Sequence, residues 1–263
     1  MNDTSHGFAG NALVEVLPSI VPYPEVDEAD PLQTLTNCGG FYEAPSTGPL
    51  VGYAGTYPDA NGETKHYVGQ RYFNVAQAEQ WPDVMENFSF RVWDMIGSSL
   101  QPNVILGAPM GGIIFGAALA SQFGCRFVFA EKVHVLDGID GQRSKESLAL
   151  ARHEIYPGER VGIAEDIANN FTTTAQLIEL VVAAGGIPVF LACVVNRSNQ
   201  TEYVASGRDP LPVISLVHRP TPQYRQDDPV VADLVAAGHV AWKPKYEWTR
   251  LKAAMDQSVG QAE

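Results

Sequence analysis

The chain has 263 residues, of which 45% are hydrophobic and 18% are charged. This balance is typical of a globular protein and excludes disorder along the whole chain. The length suits one domain with a small accessory subdomain. Seventeen basic and thirty acidic residues give a net charge of −13, which repels nucleic acids and anionic membrane surfaces. A polyphosphate ligand would therefore have to be held locally, by backbone amides or a metal ion.

The cysteines and the apolar stretches favour a cytoplasmic protein. Cys38, Cys125 and Cys193 are odd in number and follow no disulfide or zinc spacing, which favours a reducing compartment. The N-terminal sequence MNDTSHGFAG lacks the basic and apolar segments of a signal peptide. The longest apolar stretches, such as residues 187–195, fall short of the ~20 residues that a membrane helix needs.

The first part of the chain, residues 1–80, is predicted to form a β-rich or irregular accessory segment. Candidate strands lie at residues 50–53 and 66–73, separated by proline and glycine turns. A helix is predicted from about residue 82 to residue 100, because its apolar residues recur every four positions. They are Val84, Phe88, Val92 and Ile96.

From residue 103 the pattern changes to alternating strands and helices. This alternation predicts right-handed crossovers and a mostly parallel sheet, with a core domain over residues 81–220. Two short helices, at about 229–237 and 247–255, are expected in a C-terminal extension over residues 221–263. The predicted core strands are 103–106, 125–130, 160–164, 187–195 and 213–217, and the helices are 112–123 and 173–184.

The first strand-to-helix junction with unusual composition is LGAPMGG at residues 106–112. Glycines at a strand end let the backbone turn sharply, and the amides of such a turn bind phosphate oxygens. The alternative is a tight turn whose glycines serve only packing. The candidate phosphate-binding residues are Ala108, Pro109, Met110 and Gly111.

The second junction is VGIAEDIANNFTTT at residues 161–174. Glu165 and Asp166 repel each other at a strand end, which is poor for structure but suits ribose hydroxyls or a divalent cation. The polar loop that follows could bind a phosphate at the helix start. Alternatively, Thr172 or Thr173 is only a helix N-cap. The candidate loop residues are Asn169, Asn170, Phe171, Thr172 and Thr173.

These two junctions resemble the pyrophosphate loop and the phosphoribosyl-pyrophosphate (PRPP) signature of the type I phosphoribosyltransferases. Within that family the chain is most similar to the orotate phosphoribosyltransferases, over about residues 70–200. The resemblance implies an α/β fold with a mostly parallel central sheet, flanking helices and a small hood built from both ends of the chain. Further similar segments are FAEK at 129–132, residues 150–161, NRS at 196–198, GGFY at 39–42 and YFN at 72–74.

One segment departs from the family pattern. The loop after the acids usually reads Thr-Thr-Gly-Gly-Ser, whereas this chain has NNFTT at residues 169–173. Because both glycines are replaced, the loop has less backbone freedom at the place where it is expected to surround a phosphate. Asparagine, however, tolerates left-handed geometry better than most residues.

The resemblance implies transfer of the 5-phosphoribosyl group of PRPP to orotate in pyrimidine nucleotide synthesis, with release of pyrophosphate. It also implies a homodimer, and a lid over residues 133–149 that stabilises the leaving pyrophosphate. Glu165 and Asp166 would hold the ribose hydroxyls directly or through Mg²⁺. The implied catalytic residues are Lys132, His134, Lys145 and Asp166, and the implied base-binding residues are Tyr72, Phe73 and Arg197.

Two other functions stay open on the sequence. The same fold could act on a purine or another base, or the chain could be a non-catalytic nucleotide-binding descendant, for which Phe171 is the best argument. The C-terminal segment AWKPKYEW at 241–248 is aromatic and basic. A packed subdomain or a dimer contact is expected there rather than a nucleic-acid surface.

Overall fold

The computed structural model describes residues 22–135, 145–205 and 207–259. No helix in these three ranges is both long and apolar enough to cross a membrane. The helices are α1 (Pro31–Asn37), α2 (Ala76–Glu79), α3 (Pro82–Ile96), α4 (Gly112–Phe123), α5 (Thr172–Ala183), α6 (Ala232–Ala236) and α7 (Trp248–Val259). The strands are β1 (Phe41–Glu43), β2 (Leu50–Pro58), β3 (Thr64–Gly69), β4 (Arg71–Phe73), β5 (Val104–Gly107), β6 (Arg126–Phe129), β7 (Glu131–Val135), β8 (Lys145–Ala149), β9 (Arg160–Ala168), β10 (Ile187–Asn196), β11 (Glu202–Tyr203), β12 (Leu211–His218) and β13 (Val240–Ala241).

A six-stranded sheet forms the centre of the molecule, in the order β11-β12-β10-β9-β5-β6. Among the described strands of this sheet, only the short edge strand β11 runs antiparallel to its neighbour. The mostly parallel sheet predicted from the sequence is confirmed. Its parallel strands all end at one edge, which is where ligands bind in sheets of this kind.

Helices cover both faces of the central sheet, as buried parallel strands require. α3 and α4 pack on one face with Phe88, Phe115 and Phe190 at the centre of the core. α5 packs on the other face, where Leu177 and Leu191 are buried. α3 ends at Ile96 rather than at residue 100, because Gly97 turns the backbone into a positive φ of 63°.

Two parts of the core differ from the sequence prediction. β9 continues to Ala168 instead of stopping at Ala164, because its last residues stay paired with β10 as far as Asn196. The two acids therefore lie within a strand. The segment expected to be a lid begins in β7 and ends in β8, and these two strands pair in antiparallel fashion. Residues 136–144 lie outside the described ranges.

The hood brings together segments from the N-terminal and C-terminal parts of the described chain. β13 pairs in parallel with β2, which pairs with β3 to form a three-stranded sheet, while β1 and β4 form a separate pair. Leu251 of α7 is fully buried in a cluster with Tyr42 and Val51. Residues 240–251 are thus part of the hood and do not form a separate helical extension.

Candidate functional site

The glycine-rich turn after β5 lies directly against the end of β9. The Ala108 amide donates a 2.9 Å hydrogen bond to the Ala164 carbonyl. A Cβ placed on Gly112 would overlap that same carbonyl, and one placed on Gly111 would overlap the Asp166 carboxylate. The Pro109–Met110 peptide bond is cis, and Met110 is 82% exposed. The fold therefore brings the two junctions together, and glycine is the only residue that permits so close an approach.

The two acids of β9 point to opposite faces of the strand, as neighbouring residues in a strand do. Glu165 is buried on the α5 face, where its Oε1 accepts a 2.5 Å hydrogen bond from the Thr174 hydroxyl. Burial raises the pKa of Glu165 to about 7, against the lowering effect of this hydrogen bond. Asp166 lies on the other face, against Gly111.

Asp166 has a pKa above its usual value, mainly because it is buried. Hydrogen bonds from the backbone amides of Ile167 and of Asp166 itself oppose this shift, and so does the charge of Lys245. Within the described residues, no group of three or more His, Cys, Asp or Glu side chains could hold a metal ion. Asp166 is the acid that faces the glycine turn, and Glu165 does not share that position.

The loop predicted for the 5′-phosphate leads from β9 into α5. Phe171 occupies the N-cap position in the left-handed conformation, with φ 56° and ψ 19°. Its ring is buried and lies 5.5 Å from the ring of Tyr203. The Thr172 amide donates a 3.3 Å hydrogen bond to Asn170 Oδ1. The interpretation of Thr172 or Thr173 as the N-cap is therefore wrong.

A cavity of about 420 Å³ opens beside this loop. Its other walls come from the segments that follow β10 and β12, so it lies at the carboxyl edge of the sheet. The lining residues are Asn169, Asn170, Phe171, Arg197, Ser198, Asn199, Gln200, Thr221 and Pro222.

Arg197 presents a buried guanidinium group at this cavity. Its Cζ atom lies 4.7 Å above the centre of the Tyr53 ring, and burial lowers its pKa. Its Nε and Nη2 atoms are shielded from solvent and have no hydrogen-bond partner among the described residues. Because shielded nitrogen atoms without a hydrogen-bond partner are costly, an anionic or carbonyl group that reached Nε or Nη2 would be stabilised, while Tyr53 contacts the face of the guanidinium.

Tyr72 and Phe73, which were predicted to bind the base, are consecutive residues of β4, so their side chains point to opposite sides of the strand. Tyr72 is half-buried; burial raises its pKa to about 12, and the charges of Arg197 and Asp166 also act on it. Phe73 is buried in the core, with its ring 4.9 Å from that of Phe41. The prediction of Phe73 as a base-binding residue is therefore corrected: Phe73 is part of the core, whereas Tyr72, half-buried beside Trp248, stays a candidate for the base.

The predicted catalytic residues of the lid lie on the β7–β8 hairpin. Lys132 lines a small cavity of about 120 Å³ together with Pro109 and Thr173, so the structure brings it beside the glycine turn. His134 pairs with Glu146, and Lys145 with Val135, across the hairpin. The side chains of His134 and Lys145 lie outside the described part of the structure.

Three residues near the site were missed by the sequence interpretation. Tyr53 stacks on Arg197 and donates a 2.6 Å hydrogen bond to the Arg71 carbonyl. Glu79 on α2 has its pKa raised to about 7 by burial and then by the charge of Asp166, with Lys245 opposing. Lys245 lies between β13 and α7. These three residues are far apart in the sequence and belong to no motif, so only the folded structure reveals that they lie near the site.

The fold and the arrangement of this edge define an α/β protein whose candidate site joins a glycine turn, an acidic strand end and a hood. The family model of the phosphoribosyl transferase domain matches residues 75–208. The chain therefore belongs to the phosphoribosyltransferase family.

Curated relatives of this chain include two orotate phosphoribosyltransferases. That of Heliobacterium modesticaldum is 30% identical over 131 residues, covering 49% of this chain and 63% of the relative. That of Caldanaerobacter subterraneus is 31% identical over 129 residues, covering 49% and 62%. The chain thus spans somewhat under two thirds of the length of these relatives.

Solved structures with a similar fold include both orotate and adenine enzymes. The orotate phosphoribosyltransferase of Aeropyrum pernix has a TM-score of 0.41 and 15% identity, with 64% of this chain and 87% of that chain covered. The adenine phosphoribosyltransferase of Leishmania tarentolae has a TM-score of 0.47 and 16% identity, with 80% and 93% covered.

Proposed function

We propose that the chain transfers the 5-phosphoribosyl group of PRPP to orotate and releases pyrophosphate. Family membership supports the transfer to a base, and the buried guanidinium of Arg197 supports orotate. Two of its nitrogen atoms have no partner in the described structure, and a guanidinium binds a carboxylate more strongly than it binds a neutral acceptor. Orotate carries a carboxylate, whereas uracil and the purine bases do not. Arg197 is the single observation on which the choice of base depends.

In this proposal the transferred group lies at the edge between the glycine turn and the hood. The amides of residues 108–111 would bind the diphosphate, and Asp166 the ribose hydroxyls. The loop at 169–173 would bind the 5′-phosphate beside the 420 Å³ cavity. Lys132, beside Pro109, would neutralise charge on the leaving pyrophosphate. The lid residues His134 and Lys145 stay candidates for that same role.

The chemical step exchanges one bond at C1′ for another. The bond from C1′ to the diphosphate oxygen breaks, and its electron pair leaves with pyrophosphate. The base nitrogen gives its electron pair to C1′ and loses its proton to solvent. Because the carbon becomes cationic between these events, the contribution of the protein is to position the reactants, stabilise the leaving charge and exclude water.

The residues present fit a Mg²⁺ ion that is held mainly by the phosphate oxygens of the substrate. Of the two acids, only Asp166 faces the glycine turn, since Glu165 is hydrogen-bonded to Thr174 on the opposite face of the sheet. Mg²⁺ commonly binds through one or two carboxylates, substrate phosphates and water, so Asp166 is the proposed protein ligand. When bound, the ion would neutralise diphosphate charge.

The second candidate function is a nucleotide-binding protein without turnover. Phe171 favours it, because a bulky residue occupies the left-handed position at the start of α5. Its ring, however, is buried against Tyr203, and the loop still lines the 420 Å³ cavity in which a phosphate would bind. For this reason the enzymatic function is preferred.

The test is pyrophosphate release with PRPP, Mg²⁺ and a panel of orotate, uracil, adenine and guanine. We expect release with orotate alone. Arg197→Met should lower kcat/KM for orotate by about 10- to 100-fold, as for a hydrogen-bonded charge pair. Arg208→Met, at an exposed arginine between β11 and β12, is the matched control. Turnover of a purine base instead would overturn the choice of orotate, and nucleotide binding without turnover would select the second candidate.

A further inference from the structure

Tyr53 and Arg197 come from distant parts of the chain and meet in the structure. Tyr53 lies on β2 in the hood, and Arg197 directly follows β10 at the carboxyl edge of the sheet. The Cζ atom of Arg197 lies 4.7 Å above the centre of the Tyr53 ring. An arginine within about 6 Å of an aromatic face is attracted by the ring, most strongly where water is excluded. Tyr53 is only 8% exposed, so water has little access to this contact.

The Tyr53 ring is itself held firmly by the hood. Its hydroxyl donates a 2.6 Å hydrogen bond to the Arg71 carbonyl of β4. A Cβ placed on Gly69 of β3 would come within 2.5 Å of the ring, so the ring lies directly against the backbone of that strand. Tyr53 also packs in the buried cluster that contains Val51 and Leu251. The ring therefore offers Arg197 a surface that does not move with it.

The main chain of Arg197 is held at the edge of the sheet. Its amide donates a 2.8 Å hydrogen bond to the Ala168 carbonyl, and its carbonyl accepts a 3.0 Å hydrogen bond from the Thr221 amide. The side chain, in contrast, has two nitrogen atoms without a partner among the described residues. Unpaired N–H groups gain free energy by turning toward water, and the Tyr53 ring opposes that movement. The arginine is thus kept in the wall of the 420 Å³ cavity.

We propose that Tyr53 is a positioning residue for the base. By stacking on Arg197 it holds the guanidinium in the cavity wall, where the carboxylate of orotate would bind. This inference rests on the proposed function and makes the choice of base depend on a residue of the hood. Tyr53 acts through Arg197 and is not itself assigned a contact with the base.

The same strand contains a second pair of this kind, which provides a matched control. Tyr57 of β2 is 7% exposed, and the Cζ atom of Arg225 lies 4.6 Å from the centre of its ring. Its hydroxyl accepts a 2.7 Å hydrogen bond from the Gln226 amide. None of these three residues is among the described residues that line the 420 Å³ cavity. Tyr57 therefore matches Tyr53 in burial and in its arginine partner, but not in its place.

The experiment is steady-state kinetics of pyrophosphate release with orotate and PRPP. Tyr53→Met keeps an adaptable apolar side chain and removes the ring. It should raise KM for orotate about 5- to 30-fold, the range expected for a cation–π contact with little water. Both kcat and KM for PRPP should stay within about twofold, because only binding of the base is affected. Tyr53→Phe keeps the ring and should retain a KM for orotate close to that of the wild type, and Tyr57→Met should change none of these quantities.

A double-mutant cycle distinguishes positioning of the arginine from support of the fold. In the Arg197→Met background, Tyr53→Met should produce no further rise in KM for orotate, because the group that it positions is absent. A tyrosine that only supports the hood would raise KM by the same factor in both backgrounds. That result would overturn the inference.

The remaining outcomes separate the inference from the proposed function. Absence of pyrophosphate release by the wild type with orotate, or an unchanged KM for orotate in Arg197→Met, would refute the choice of orotate and this inference with it. A raised KM in Arg197→Met together with an unchanged KM in Tyr53→Met would overturn the inference alone. So would an equal rise in Tyr57→Met. Should Tyr53→Met fail to fold, Tyr53→Leu removes the ring with a smaller side chain and is judged by the same comparisons.

Discussion

Gly111 is the residue at which the two halves of the candidate site touch. A Cβ there would overlap the Asp166 carboxylate, so an alanine must displace either the turn or the acid. We predict that Gly111→Ala lowers PRPP affinity about tenfold or more in calorimetry with Mg²⁺. Gly55→Ala in β2 is the control, because its Cβ would meet its neighbours at 3.4 Å, an ordinary contact. Equal PRPP affinity in both variants would show that the turn does not need this approach.

Phe171 illustrates what a single position in the sequence can and cannot predict. The absence of glycine correctly marks the loop as unusual, and Phe171 does adopt a positive φ of 56°. Left-handed geometry costs a non-glycine residue about 1–2 kcal/mol, and burial of a large apolar side chain contributes about 1.5–3 kcal/mol in the other direction. The partner in that burial, Tyr203, is remote in the sequence, so the compensation is visible only in the structure.

Residues that follow a strand of the sheet were predictable from the sequence pattern, whereas Tyr72 of the hood was predicted only from the family resemblance, and Glu79 and Lys245 were not predicted. Arg197 and the glycine turn each follow a recognisable apolar strand, so their meeting at one edge follows from parallel pairing. Glu79 and Lys245 belong to no motif, and only the folded chain brings their charges within reach of Asp166.

Among the elements, β9 decides how the acidic pair is used. The sequence interpretation placed the two acids beyond the strand, where both could face one ligand. Continued pairing with β10 keeps them in the strand, and the period of two sends their side chains to opposite faces. Glu165 thereby becomes part of the contact between β9 and α5, through Thr174.

The contact between β9 and α5 should make stability depend on pH. Burial raises the pKa of Glu165 from 4.5 to about 7, so the folded protein binds this proton more tightly than the unfolded chain. The resulting stability is fully present below pH 4.5 and is lost as the pH rises through about 7. The free energy of unfolding should fall by about 3 kcal/mol over this pH range.

We therefore predict that Glu165→Gln has a flatter dependence of the free energy of unfolding on pH than the wild type. The measurement is urea unfolding at intervals across this range. Glu202→Gln, at an exposed position on β11, should follow the wild-type curve. Parallel curves for the wild type and Glu165→Gln would contradict the assignment of this dependence to Glu165.

At the scale of the whole molecule, the sheet was predictable from the sequence pattern, whereas the hood was predicted only from the family resemblance. The core strands are apolar runs separated by helices, and this local pattern defines a parallel sheet with few alternatives. The hood depends on pairing between β13 and β2, which lie near opposite ends of the chain. A strand of two residues such as β13 carries too little pattern to indicate such a partner.

Because the hood combines N-terminal strands with α7, we expect it to be sensitive to a single buried residue of that helix. Leu251 is fully buried against Tyr42, Val51 and Ala241, and truncation of a buried leucine costs about 2–5 kcal/mol. We predict that Leu251→Ala lowers the midpoint of urea unfolding and raises KM for orotate, because Trp248 of the same helix contacts Tyr72 at a ring distance of 6.2 Å. Lys252→Ala, at the adjacent exposed position, should change neither quantity. A destabilised Leu251→Ala protein with unchanged KM for orotate would mean that α7 supports the fold without shaping the base site.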